Sequence, residues 1–153
     1  MRLILSIDPG PEQSGFVVWD GKRVHEASAA TDNDALLKVL HTTPASDVVL
    51  EQIASYGMAV GASVFETCVW TGRFLQVAVS RGRVVDRLPR MHVKMHLCHD
   101  SRATGTNIRQ ALLDRFGPGG TKKHPGTLYG VTSHAWAALA LAVTYYDQQH
   151  AAS

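Results

Sequence analysis

The run Ala135, Trp136, Ala137, Ala138, Leu139, Ala140, Leu141, Ala142, Val143 has no polar face. A helix that is apolar all round must be buried on most of its sides, so the rest of the chain has to fold around it. The pattern extends this helix from about Ser133 to Gln148. No run in the chain approaches the ~18 apolar residues of a membrane span. At 153 residues and 45% hydrophobic composition, the chain suits one domain, residues 1 to 153, with one core. Met1-Arg2 leads directly into strand-like sequence without a signal-peptide pattern, so a cytoplasmic location is expected. Cys68 and Cys98 form no C-x-x-C pair and read as free thiols.

Three segments ahead of that helix read as strands: 2–8, 14–20 and 23–30. The turn signal Asp20-Gly21 joins the second and third into an antiparallel meander. A helix follows with Thr31 or Asp32 as its N-cap and Ala35, Leu36, Val39 and Leu40 as its apolar face. The next strand, Asp47-Val48-Val49-Leu50-Glu51, precedes a longer helix over about 63–79, in which Val64, Phe65, Cys68, Gly72 and Leu75 have core-like spacing. Residues 83–88 suit a fifth strand, and helical segments are expected over 89–97 and 106–116. The glycine- and proline-rich stretch from Gly117 to Gly126 reads as a mobile basic loop. The order βββ-α-β-α-β-α predicts an α/β fold: a five-stranded mixed sheet with helices on both faces.

Two of these strands end in a carboxylate. Leu3, Ile4, Leu5 and Ile7 form a buried pattern, and Pro9-Gly10 cannot extend it, so Asp8 sits where the chain leaves the sheet. Glu51 ends its own apolar strand in the same way. Either residue alone could cap a turn or a helix. If the two strands lie side by side and parallel, the carboxylates come within roughly 5 Å, which favours a bridging divalent cation. His134, the strongly polar residue in the first turn of the last helix, is a third candidate ligand, although a histidine there can equally serve as a capping or core residue. His92 and His96 are four apart, but no Glu follows His92 and no third ligand is evident, so they do not read as a zinc site.

Charge is unevenly distributed. The net charge is +2, but residues 81–123 carry ten Lys and Arg against three Asp, while residues 1–80 carry five basic and nine acidic residues. An acidic half joined to a basic half suits an enzyme that concentrates metal beside a polyanion. Arg73, Arg90, Lys94, Arg102, Arg109, Lys122 and Lys123 are candidate phosphate contacts as a set. The small residues around Tyr56 and Gly57 allow close backbone approach to phosphates. Trp70 or Phe65 could wedge at a nucleic-acid branch point, though both suit packing better.

The strand-ending Ile-Asp-Pro-Gly with Ser-Gly after it, the Val-Leu-Glu-Gln strand and the Gly-Val-Thr-Ser-His-Ala-Trp-Ala-Ala-Leu-Ala-Leu-Ala segment together resemble the RuvC-type Holliday-junction resolvases of the RNase H-like superfamily. Tyr56-Gly57-Met58, Val64-Phe65-Glu66-Thr67, Trp70-Thr71-Gly72-Arg73 and Asn107 to Leu112 resemble its phage-borne branch. The resemblance implies a homodimer that hydrolyses phosphodiesters symmetrically in branched double-stranded DNA, using two Mg²⁺ or Mn²⁺ ions. In it, Asp8 would bridge the ions, Glu51 would bind one, and His134 would position the other or the water. The family pattern supplies two acidic residues three apart at the start of the last helix, where this chain has His134 and Ala137. Gly105 stands where some phage relatives have an acidic residue, which leaves Asp100, water or nothing as a fourth ligand. The competing expectation is a junction-binding protein that keeps the fold and has lost cleavage. Actin-like sugar kinases also open with a strand ending in Asp-x-Gly, but that fold needs a second comparable domain that a chain of this length lacks.

Overall fold

A computed structural model describes residues 2–151. Five strands, β1 (Ile4–Asp8), β2 (Gln13–Trp19), β3 (Val24–Asp32), β4 (Asp47–Gln52) and β5 (Val84–Pro89), form one sheet in the order β3-β2-β1-β4-β5. The β1–β2 and β2–β3 pairs are antiparallel; β1–β4 and β4–β5 are parallel. The expected five-stranded mixed sheet is therefore present, with helices on both faces. The helices are α1 (Asn33–Thr42), α2 (Ala62–Ser80), α3 (Arg90–Cys98), α4 (Gly105–Phe116) and α5 (Ala135–Ala151).

Strand alternation divides the apolar residues between two cores. Leu5, Ile7, Val48 and Leu50 pack with Leu36 and Leu40 of α1 and Phe74 and Ala78 of α2. Ile4, Val49 and Leu88 point to the opposite face, against Val93 of α3, Ile108 and Leu112 of α4 and the apolar body of α5. Helix α5 is buried from Ala138 through Tyr145, as its all-apolar sequence requires. Two polar ties fix it to the sheet: Ser6 donates to the Ala138 carbonyl at 2.6 Å, and the Tyr145 hydroxyl donates to Asp47 at 2.6 Å. Burial and the Asp47 carboxylate push the Tyr145 hydroxyl well above its ordinary pKa.

Several local expectations are corrected. Strand β3 continues through Thr31 to Asp32, so of the two expected caps Asp32 holds the N-cap position of α1, but its carboxylate accepts from Gln13 and makes no hydrogen bond to the helix. Ala35 is exposed, and the buried residues of α1 are Asn33, Leu36 and Leu40. On α2 the inward face is Thr67, Thr71, Phe74 and Ala78, whereas Phe65, Cys68 and Gly72 face outward. Threonine can occupy that core because each hydroxyl donates to a carbonyl one turn back, Thr67 to Ser63 and Thr71 to Thr67. Trp70 is half-buried and stacks on Phe74, consistent with packing. The stretch 117–126 is pinned by its own backbone: Gly126 N–H donates to the Gly119 carbonyl at 2.8 Å, and Gly120 pairs with Pro125. Cys68 and Cys98 are free thiols. No helix among the described residues is long and apolar enough to cross a membrane.

Candidate metal and phosphate site

The same alternation that builds the cores aims the two carboxylates. Ile4, Ser6 and Asp8 share the face of β1 that meets α5, and Val49 and Glu51 share the corresponding face of β4. The last ladder pair, Ile7 with Leu50, places Asp8 and Glu51 one residue further on, at neighbouring strand ends. Beyond Asp8 the chain is held by a small network. The Gly10 N–H donates to Ser14 Oγ at 3.1 Å, Ser14 donates to Asn33 Oδ1 at 2.6 Å, and Asn33 donates to the Gly10 carbonyl at 2.9 Å.

His134 lies in a turn immediately before α5, not in its first turn, because the chain passes through a left-handed residue, Ser133 (φ 47°). Its Nδ1 is 4.0 Å from Asp8 Oδ2 and its ring is largely open to solvent. Gly15, the β2 partner of Asp8, permits this approach: a Cβ there would stand 3.1 Å from the His134 carbonyl oxygen. In the sequence Gly15 is only part of a motif; its role beneath His134 shows once β2 and the α5 turn are placed together.

The carboxylates are electrostatically crowded. Burial, the charge of Asp8 and a hydrogen bond with it push Glu51 up to about 7. Burial also raises Asp8, while contact with Glu51 and the charge of Arg90 oppose that rise. The pair therefore holds a proton more tightly than isolated carboxylates would. Arg90 Nη1 is 3.9 Å from Glu51 Oε1, and the Lys94 charge also favours ionised Glu51. Beside the pair is a cavity of about 510 Å³, lined by Arg90, Gly105, Arg109, Trp136 and Ala137 among others. Arg109 sits over the Trp136 ring at 5.2 Å.

Of the expected site residues, the structure gathers Asp8, Glu51 and His134 with Arg90 and Arg109, while Lys94 does not line the cavity and acts on Glu51 through its charge. Asp100 is not among them: its carboxylate accepts from the Arg102 backbone, and it lines a separate depression with Cys98 and Asn107. Arg73 stacks on Trp70 at 4.0 Å, and neither it nor Arg102, Lys122 or Lys123 lines the cavity. Tyr56 (φ 51°) and Gly57 (φ 79°) form a left-handed turn, with Tyr56 beside His92 and His96 of α3. His92 is bonded to Gln148, and His96 to Asp147 at 2.7 Å, so both tie α3 to α5.

Asp8 and Glu51 fit a hard cation: carboxylate oxygens, like-charged and forced together, are the donors such an ion relieves. Among the described residues no group of three or more His, Cys, Asp or Glu side chains is arranged to hold a metal, so water would complete the coordination. Mg²⁺ commonly binds in that way, through one or two carboxylates and several waters.

Sheet order, helix placement and paired strand-end carboxylates define an RNase H-like α/β fold. The solved structures similar to this chain include Thermus thermophilus RuvC, at 22% identity, 97% coverage of both chains and a TM-score of 0.71. They also include T. thermophilus RuvC in complex with a Holliday junction substrate, at 20% identity, covering 98% of this chain and 97% of that one, with a TM-score of 0.74. No protein-family model and no curated protein sequence matches the chain.

Proposed function

We propose that this protein is a single-domain, divalent-metal-dependent endonuclease that hydrolyses phosphodiester bonds in four-way or otherwise branched DNA and acts as a homodimer. The observation that carries this reading is the pairing of Asp8 and Glu51 at adjacent strand ends, on the face that His134 overhangs and Arg90 borders. The junction complex of the structurally similar RuvC supports the substrate class. The motifs around Tyr56, Phe65 and Asn107 support a phage-like branch, and with it the interior of a bacterial or phage-infected cell.

Asp8 and Glu51 would hold Mg²⁺ or Mn²⁺, with the His134 ring beside them, 4.0 Å from Asp8. When bound there, such an ion would supply charge to the attacked phosphate and lower the pKa of water. The protein's own groups do the rest. Asp8 and Glu51 sit on a rigid sheet and fix where the phosphate stands relative to the water. His134, open to solvent, orients the water on the exposed side. Arg90 and Arg109 offer cationic contacts on the cavity side, and Arg73, Lys94, Arg102, Lys122 and Lys123 extend the basic surface for flanking duplex. Tyr56 and Gly57 offer a backbone approach beyond β4.

The test is incubation with a labelled four-way junction and a matched linear duplex in Mg²⁺, Mn²⁺ and EDTA, beside Asp8→Asn. Metal-dependent paired nicks confined to the junction and lost in the variant support the proposal. One observation favours a second reading. Ala137 presents a methyl group to the cavity where the resemblance calls for a carboxylate, which suits a junction-binding protein with weak or absent cleavage. Tight junction binding without nicks in either metal would establish that reading.

A further inference from the structure

The site has an unusual balance of charge. Asp8 and Glu51 are the only acidic side chains among the described residues lining the cavity, and Ala137 and Gly105 line it without a donor of their own. A second divalent ion would therefore lack carboxylate donors of its own and would stand beside a guanidinium. Arg90 is placed there by the backbone. Strand β5 runs parallel to β4 with Leu88 opposite Glu51 and Pro89 opposite Gln52, and α3 begins at the next residue. The side chain of Arg90 borders both the cavity of about 510 Å³ and a groove of about 520 Å³ formed with the Pro9–Gln13 loop. Asp8 and His134 border both as well, so these three residues form the ridge between the two spaces. Arg90 is half-exposed, and its one ion pair among the described residues, at 3.9 Å to Glu51, is loose. Its remaining N–H donors can reach a bound phosphate.

Resting on the nuclease reading above, we propose that the Arg90 guanidinium supplies the second positive charge of this site, so that each chain binds one divalent ion and Arg90 contacts the scissile phosphate beside the departing 3′ oxygen. In the reaction the water oxygen bonds to phosphorus and the P–O3′ bond breaks with its electron pair left on O3′. The water's proton passes to solvent, and O3′ takes a proton from solvent, giving a 5′-phosphate and a 3′-hydroxyl. Arg90 stabilises charge on O3′ without donating the proton, because a guanidinium stays protonated in proteins. The two ions implied by the resemblance are thereby replaced by one ion and one arginine.

Titration with Mn²⁺ alone, with free Mn²⁺ counted by electron paramagnetic resonance, should give one ion per chain. Arg90→Ala should lower kcat on a four-way junction about 100- to 1,000-fold, the loss typical of removing one positioned donor to developing charge, with the junction Kd changed less than about threefold. Arg90→Lys should recover part of kcat, and Arg90→Ala with Ala137→Asp should bind a second Mn²⁺. Two ions in the wild type, or an Arg90→Ala effect confined to Kd, overturns the proposal. Failure of the nuclease reading looks different: the wild type then cuts the junction no better than Asp8→Asn, whatever the ion count.

Discussion

Glu51 shows what happens when two largely buried carboxylates are held side by side. A carboxyl raised to about 7 binds its proton more tightly in the folded chain than in the unfolded one. Its contribution to stability is therefore complete below the ordinary glutamate pKa and is lost as pH rises through about 7. In EDTA the protein is expected to melt at a lower temperature at pH 8 than at pH 5 on this account. The loss is on the order of 2 kcal/mol, or about 4–8 °C for a chain of this size. Glu51→Gln should flatten that part of the profile, and Mg²⁺ should raise the wild-type melting temperature at pH 8 far more than that of the variant. Calorimetric scans at the two pH values, with and without Mg²⁺, read both effects. Both carboxylates were legible in the sequence because each closes an apolar run, Asp8 ahead of Pro9-Gly10 and Glu51 with Gln52 after Val48-Val49-Leu50. Arg90 was legible only as one of several basic residues, because its distance to Glu51 depends on the parallel register of β4 and β5.

At the scale of elements, the approach of the α5 turn to β2 is the most exacting contact beside the site. His134 has its carbonyl oxygen, carbonyl carbon and Cβ all within 3.3 Å of where a Gly15 side chain would begin. Gly15→Ala should be tolerated with a small shift of the turn. Gly15→Val should displace His134, reducing junction cleavage at least tenfold and destabilising the fold by about 1–3 kcal/mol, the usual cost of overpacking. Single-turnover cleavage and thermal melting separate the two effects. The second core offers a control away from the site. Phe74 is fully buried between α2 and the sheet, so Phe74→Ala should cost about 3–5 kcal/mol. The metal requirement of the remaining folded protein should be unchanged, as a metal titration at low temperature would show. Element order was readable because strand and helix periods differ, but the facing of α2 was not. Counting apolar residues as inward puts Phe65, Cys68 and Gly72 in the core, whereas Thr67 and Thr71 take those places by bonding their hydroxyls to the helix backbone. The left-handed residue Ser133, which holds His134 outside α5, likewise carries no periodic signal.

At the scale of the whole molecule, the homodimer proposed above would bury the outward face of α2. Phe65, Val69 and Val79 are each more than half exposed, and Gly72 between them has open space within 4 Å of where a side chain would begin. Phe65, Val69, Gly72, Gln76 and Val79 follow the alternation of four and three that lines one side of a helix, so the three apolar residues share one face with Gly72 and the polar Gln76. Such a stripe suits a symmetric contact, with the same face of two chains packed together and Gly72 allowing the helix backbones to approach. A two-fold dimer would also present two copies of the Asp8–Glu51 site to one substrate, as paired cutting of a four-way junction requires. Phe65→Glu combined with Val69→Glu should therefore yield a folded monomer by light scattering, because neither side chain contributes to either core. On a supercoiled plasmid carrying an extruded cruciform, the wild type should make two coordinated cuts and release linear product. The double variant should accumulate nicked circles instead, its site intact but the second cut uncoupled from the first. Linear product at the wild-type rate from the double variant would move the dimer contact away from α2.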